Sequence, residues 1–156
     1  MPAYVAVVGP AEATDEDTTA AYAVGAGLAA RGAVVVCGGM SGVMAATAAG
    51  VRSASGICVG LLPGDSRDGA SPDLTVAVPT GLGEVRNALV VRAADAVVAI
   101  GGSWGTLSEV ALAMRSGRPV VALGGWQVVD ATGSPVEGPV FAADAGEAVE
   151  AVLALT

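Results

Sequence analysis

Two side chains here have the type and placement to act on an anionic small molecule: Arg86, near the start of a helix-forming segment, and Glu109, three residues after Thr106. A guanidinium presents two parallel donors to phosphate oxygens. A carboxylate one turn into a helix can bind a ligand hydroxyl or amine, or stabilise positive charge developing on a sugar. Before Glu109 lies Gly101-Gly102-Ser103-Trp104-Gly105-Thr106, directly after the apolar run Ala96–Ile100. A turn so poor in side chains lets a phosphate reach the free N–H groups of the next helix. A second such turn, Gly38-Gly39-Met40-Ser41-Gly42, follows Ala33–Cys37. Ser41 and Thr106 add hydroxyls at the two helix starts, Asn87 sits beside Arg86, and Trp104 is placed to stack on a planar ring or to lie as a lid over the turn.

Each of these residues also has a purely structural duty open to it. Glu109 has the spacing of a capping-box partner for Thr106. Arg86 could be a solvated surface arginine, and the glycines could serve only to make tight turns. Arg92 falls on another face of its helix and is placed to pair with Asp95.

What is missing narrows the chemistry. The chain has no histidine, which removes Ser-His triads and imidazole acid–base work. It has no lysine either, so neither a pyridoxal-phosphate Schiff base nor a P-loop lysine can form. PLP-dependent decarboxylation is thereby excluded. The spacing G-x-G-x-x-G is absent from both turns, which favours a mononucleotide or similar phosphorylated ligand over a dinucleotide. A net charge of −8 opposes extended contact with nucleic-acid backbones. No metal-ligating constellation stands out.

The elements that must position these residues follow from the apolar pattern. Strands are expected at Tyr4–Val8, Ala33–Cys37, Gly56–Leu62, Leu74–Val78, Ala96–Ile100, Val120–Leu123 and Val140–Phe141. Helices are expected after Thr14-Asp15-Glu16-Asp17, from Val43 toward Arg52, over Glu84–Ala93, from the Gly101 turn to Ser116, and over Asp144–Leu155. Residues 63–72 read as a mobile surface loop, and residues 126–139 as a small hairpin or loop excursion of no evident role. Continuous apolar strands alternating with helices imply a single-domain α/β fold spanning 1–156, with a doubly wound, mostly parallel, Rossmann-like sheet. In such sheets ligands bind beyond the carboxyl ends of the strands, where both glycine turns fall.

At 156 residues and 53% hydrophobic content the chain supports one sizeable core, and its many Ala, Val and Gly favour close packing by small side chains. No run approaches the roughly 18 apolar residues of a membrane span, and no signal-peptide layout opens the chain, so a cytoplasmic location is expected. Cys37 and Cys58 read as reduced core thiols.

With these residues in view, the sequence resembles the LOG-like proteins, a Rossmann-like group often mislabelled as lysine decarboxylases. Active members are cytokinin riboside monophosphate phosphoribohydrolases, marked by an Arg-Lys pair and by P-G-G-x-G-T-x-x-E. The arginine falls on Arg86 and the motif on Gly101–Glu109, while the earlier G-G-x-x-G-x-M element matches Gly38–Met44. The pair's lysine is Asn87, the motif's proline is Gly101, its second glycine is Ser103, and an often acidic neighbour of the glutamate is Ser108. Arg-Asn followed by Gly-Thr-Leu-Ser-Glu looks closer to the branch of molybdenum-cofactor carrier proteins, which bind a phosphorylated pterin. The resemblance implies a homodimer or higher homo-oligomer that holds a nucleotide or molybdopterin-type cofactor as ligand, with no cofactor required for chemistry. It leaves as alternatives a hydrolase releasing base and ribose 5-phosphate from a nucleoside 5′-monophosphate, with Arg86 and Glu109 catalytic, and a nucleotide-sensing interaction module.

Overall fold

The computed structural model describes residues 1–156. Seven strands form one all-parallel sheet: β1 (Tyr4–Val8), β2 (Val34–Cys37), β3 (Ile57–Leu62), β4 (Val76–Pro79), β5 (Ala96–Ile100), β6 (Val120–Leu123) and β7 (Val140–Phe141), in the order β4-β3-β2-β1-β5-β6-β7. β1 pairs with β2 on one side and β5 on the other, so the chain reverses its winding direction between β1 and β5. The central strands are buried on both faces, which is why their sequences are unbroken apolar runs.

Five helices cover the sheet: α1 (Asp15–Ala30), α2 (Val43–Ser53), α3 (Arg86–Arg92), α4 (Trp104–Arg115) and α5 (Ala145–Leu153). α1, α2 and α5 pack on one face, sealing a core that includes Val5, Val24, Leu28, Val51 and Ile100. The other core, with Ala6, Val90, Val91, Val97 and Ala99, lies under α3 and α4. Small residues bring helix on helix as well as helix on sheet. A Cβ at Gly25 would lie 2.4 Å from the Thr47 carbonyl oxygen, and one at Gly50 2.0 Å from that of Tyr22, so α1 and α2 touch backbone to backbone. Thr14 caps α1 in a reciprocal box with Asp17, and Asp144 caps α5.

Some local expectations are corrected and others hold. The segment before α3 is a short 3-10 turn over Gly83–Val85, which leaves Arg86 as the first α-helical residue. Asp95 does not pair with Arg92; its carboxylate accepts from the Tyr4 backbone N–H at 2.9 Å, because the start of β1 lies beside the start of β5. The 63–72 loop is tied to the sheet edge: Gly83 N–H donates to the Pro63 carbonyl, Gly81 N–H to that of Gly64, and Arg67 Nε to that of Ala77. Residues 126–139 fold back on themselves with one antiparallel bridge, Val129 to Pro135. Cys37 and Cys58 are buried free thiols, 3.9 Å apart on neighbouring strands.

Candidate functional site

The reversal between β1 and β5 opens a crevice at the carboxyl ends of these strands. Its cavity of about 390 Å³ is bounded by Gly9-Pro10-Ala11 after β1, Gly38 after β2, Pro63 after β3, Gly83 to Asn87 around the start of α3, and Ser103, Gly105, Thr106 and Glu109 of α4. Arg86 is the single cation lining it, against two carboxylates, Glu84 and Glu109.

Arg86 is held from behind. One terminal nitrogen donates to the carbonyls of Gly38, at 2.5 Å, and Leu61, at 2.7 Å, while Nε is buried without a partner. These bonds fix the guanidinium against the ends of β2 and β3, and they explain Gly38: a Cβ there would stand 2.3 Å from the same nitrogen. The solvated-arginine alternative is thus removed. Burial lowers the Arg86 pKa, and the facing Glu109 charge pulls it back up.

Glu109 is buried, and burial pushes its carboxyl up to about 7 against an ordinary value of 4.5; the Arg86 charge opposes that rise. The two groups feel each other without a direct ion pair, for the ion pairs of the chain are Arg31–Glu150 and Arg52–Asp73. Nor is Glu109 a capping residue. Ser103 is the N-cap of α4, its Oγ accepting from Thr106 N–H at 3.1 Å and lying 2.9 Å from the Thr106 hydroxyl. With Thr106 N–H so used, the N–H groups of Trp104 and Gly105 open the helix end without intrahelical partners. Next to them stand a fixed guanidinium and a carboxyl that exchanges its proton near neutrality. That arrangement can bind an oxyanion and an adjoining N–H or O–H donor, or move a proton.

Of the residues singled out in the sequence, the crevice brings together Gly38, Arg86, Asn87, Ser103, Gly105, Thr106 and Glu109. Others serve elsewhere. Ser41 is exposed and its hydroxyl leans on the Ala11 carbonyl at 3.5 Å, while the first N–H of α2, at Val43, donates to the Pro10 carbonyl. The β1 loop therefore occupies part of the helix end that the sequence suggested for phosphate. Gly42 is glycine because φ is +64° and a Cβ would strike the Pro10 and Ala11 carbonyls at 2.3 Å. Gly39 packs on Leu62 and Gly60, Gly101 on the Asp17 carboxylate, and Gly102 under the Trp126 ring. Trp104 is 79% exposed and meets Trp126 edge-on at 5.0 Å, outside the crevice. Sequence reasoning missed Gly9, Pro10 and Glu84. The Gly9-Pro10 pair closing the first strand was the signal available, and only the strand order gives it meaning.

The fold and site define a Rossmann-like domain with a polar crevice at its topological switch point. The chain belongs to the SLOG cluster4 family, whose profile matches residues 2–149. The molybdenum cofactor binding protein of Rippkaea orientalis superposes with a TM-score of 0.88 at 31% identity, covering 99% of this chain and 97% of that one. The molybdenum cofactor carrier protein of Chlamydomonas reinhardtii gives 0.87 at 32%, covering 99% and 98%. An uncharacterised protein of Archaeoglobus fulgidus is 36% identical over 119 residues, 76% of this chain and 78% of its own. The resemblance to the carrier branch, drawn from Arg86-Asn87 and the Gly101–Glu109 motif, is borne out. No helix is long and apolar enough to cross a membrane.

Proposed function

We propose that this protein binds and carries a phosphorylated small molecule, a molybdopterin-type cofactor or a nucleotide, in the crevice between β1, β5, α3 and α4. The observation that carries the reading is the tethered Arg86. A guanidinium whose one nitrogen is spent on the Gly38 and Leu61 carbonyls, and whose Nε is buried and unpartnered, is a preorganised cation beside the open start of α4. In this assignment Arg86 and the Gly105 N–H hold phosphate, Asn87 and Thr106 border it, and Glu109 receives a ligand hydroxyl or amine. The molybdopterin-type cofactor is cargo, and no further cofactor is needed. The names of the similar carrier proteins support that ligand class.

The carrier works in the cytoplasm as a homodimer or higher homo-oligomer, without nucleic acid, consistent with the −8 charge. Val85 just before α3, Leu89 on α3 and Trp104 on α4 are exposed apolar side chains beside the crevice, which a second copy would cover. Light scattering during gel filtration tests this: Leu89→Asp should shift the mass toward one chain. Calorimetric titration with adenosine monophosphate and with a molybdopterin-type cofactor tests the site. Micromolar binding lost in Arg86→Ala fits; unchanged affinity removes the clamp.

A second reading is favoured by one observation, the burial of Glu109 in the same crevice as Arg86, which pushes its carboxyl up to about 7. A group that exchanges its proton near neutrality suits hydrolysis of an N-glycosidic bond, with Arg86 anchoring phosphate and Glu109 stabilising the sugar cation or orienting water. Adenosine monophosphate left intact by micromolar protein after prolonged incubation refutes it for that substrate.

A further inference from the structure

Parallel neighbours in a sheet are ordinarily joined by a crossover helix that covers the strands. Between β6 and β7 this chain has instead residues 124–139, with a single antiparallel bridge and no helix. The floor beneath is small, Ala99 on β5 and Ala122 on β6, and the nearest helical wall is Val110 and Met114 of α4. The space left over is a cavity of about 240 Å³, roofed by Trp126, Val128 and Phe141, with Glu137 its one charged lining residue.

We propose that this cavity, which meets the crevice only at Ser103 and Thr106, is a second binding site, for a small uncharged aromatic molecule. Its size is sufficient, since a dry apolar cavity of roughly 150 Å³ admits benzene. Its chemistry matches as well: two aromatic rings and a thioether favour an aromatic guest, and the near absence of charge penalises an ionised one. The walls are preorganised. Asp130 accepts bonds from the Thr132 N–H and hydroxyl and from the Ser134 N–H, which fixes the tip of the excursion, and Val136 N–H donates to the Val128 carbonyl at 3.0 Å. Trp126 itself rests on the Gly102 backbone, where a Cβ would come within 2.5 Å of the ring.

Calorimetric titration with indole, repeated with indole-3-carboxylate, tests the site. The expected result is saturable indole binding at one molecule per chain, with the carboxylate at least tenfold weaker. Ala111→Phe, at an exposed position on the rim, should weaken indole at least tenfold while leaving the melting temperature near wild type. Val136→Ser on the opposite wall should weaken it too. Arg86→Ala should leave indole binding within twofold, which keeps this test independent of the crevice. The proposal is overturned by absent indole binding in the folded wild type, by equal affinity for the carboxylate, by binding unchanged in both cavity variants, or by loss in Arg86→Ala. It is also overturned if indole is expelled as rising protein concentration drives self-association, for then a second copy fills the cavity.

Discussion

Replacing Glu109 with glutamine should stabilise the folded chain at alkaline pH, although the residue lies in a buried and conspicuous place. Its carboxyl titrates at about 7 in the folded chain and near 4.5 when exposed. The folded state therefore holds this proton more tightly than the unfolded state, and between those pH values stability falls as pH rises. Above about pH 7 the charged carboxylate costs the fold roughly 3 kcal/mol by the difference between the two values, the attraction of Arg86 being already contained in the folded one. Glutamine keeps the shape and removes the charge. At pH 8 Glu109→Gln should gain on the order of 1–3 kcal/mol, a rise of several degrees in melting temperature for a chain of this size, and should be near neutral at pH 4.5. Denaturant titrations of both proteins from pH 4.5 to 8.5 read this directly. Equal pH slopes in the two proteins would refute the reasoning, and so would a variant that is less stable at pH 8.

Gly38→Ala puts a Cβ where an Arg86 nitrogen now stands, so it should displace the guanidinium and weaken binding of adenosine monophosphate or a molybdopterin-type cofactor at least tenfold, for a stability loss of about 1–3 kcal/mol; calorimetry and thermal melts separate the two effects. Gly50→Ala should cost about as much stability or more through the α1–α2 contact while leaving ligand affinity unchanged, which the same two measurements check. Ser103→Ala removes the α4 cap and should cost about 1 kcal/mol in denaturant unfolding. A bound phosphate facing Glu109 should raise that carboxyl further, so binding at pH 7.5 should take up protons; calorimetry in buffers of different ionisation enthalpy would then give different apparent heats.

Most of the fold was legible because its strands are continuous apolar runs between glycine turns, and a parallel sheet buried on both faces demands that pattern. Thr106 and Glu109 were legible because the turn before α4 carries few side chains and the helix that follows fixes their spacing, and Arg86 because it is a guanidinium at the start of a helix. Strand order was not written in any local pattern. Without it nothing in Gly9-Pro10-Ala11 reveals that this loop sits at the reversal between β1 and β5 and takes up the first donor of α2, turning Ser41 away from the crevice. The cap of α4 was misplaced for a similar reason. A Thr106–Glu109 box needs the helix to begin after Thr106, but α4 begins at Trp104 with Ser103 as its N-cap, and where the first turn begins is not set by local spacing. Trp104 and Trp126 are far apart in sequence, and their contact follows only from the packing of Gly125 against the Gly101 backbone.

The most direct test of the carrier reading is equilibrium binding of a molybdopterin-type cofactor and of adenosine monophosphate to the wild type and to Arg86→Ala, with the ligand recovered and weighed afterwards. The account predicts micromolar or tighter binding of at least one of them, recovery of that ligand chemically intact, and a loss of at least tenfold, about 1.4 kcal/mol, in the variant. Failure of both to bind, equal affinity in the two proteins, or recovery of free adenine and ribose 5-phosphate would contradict it.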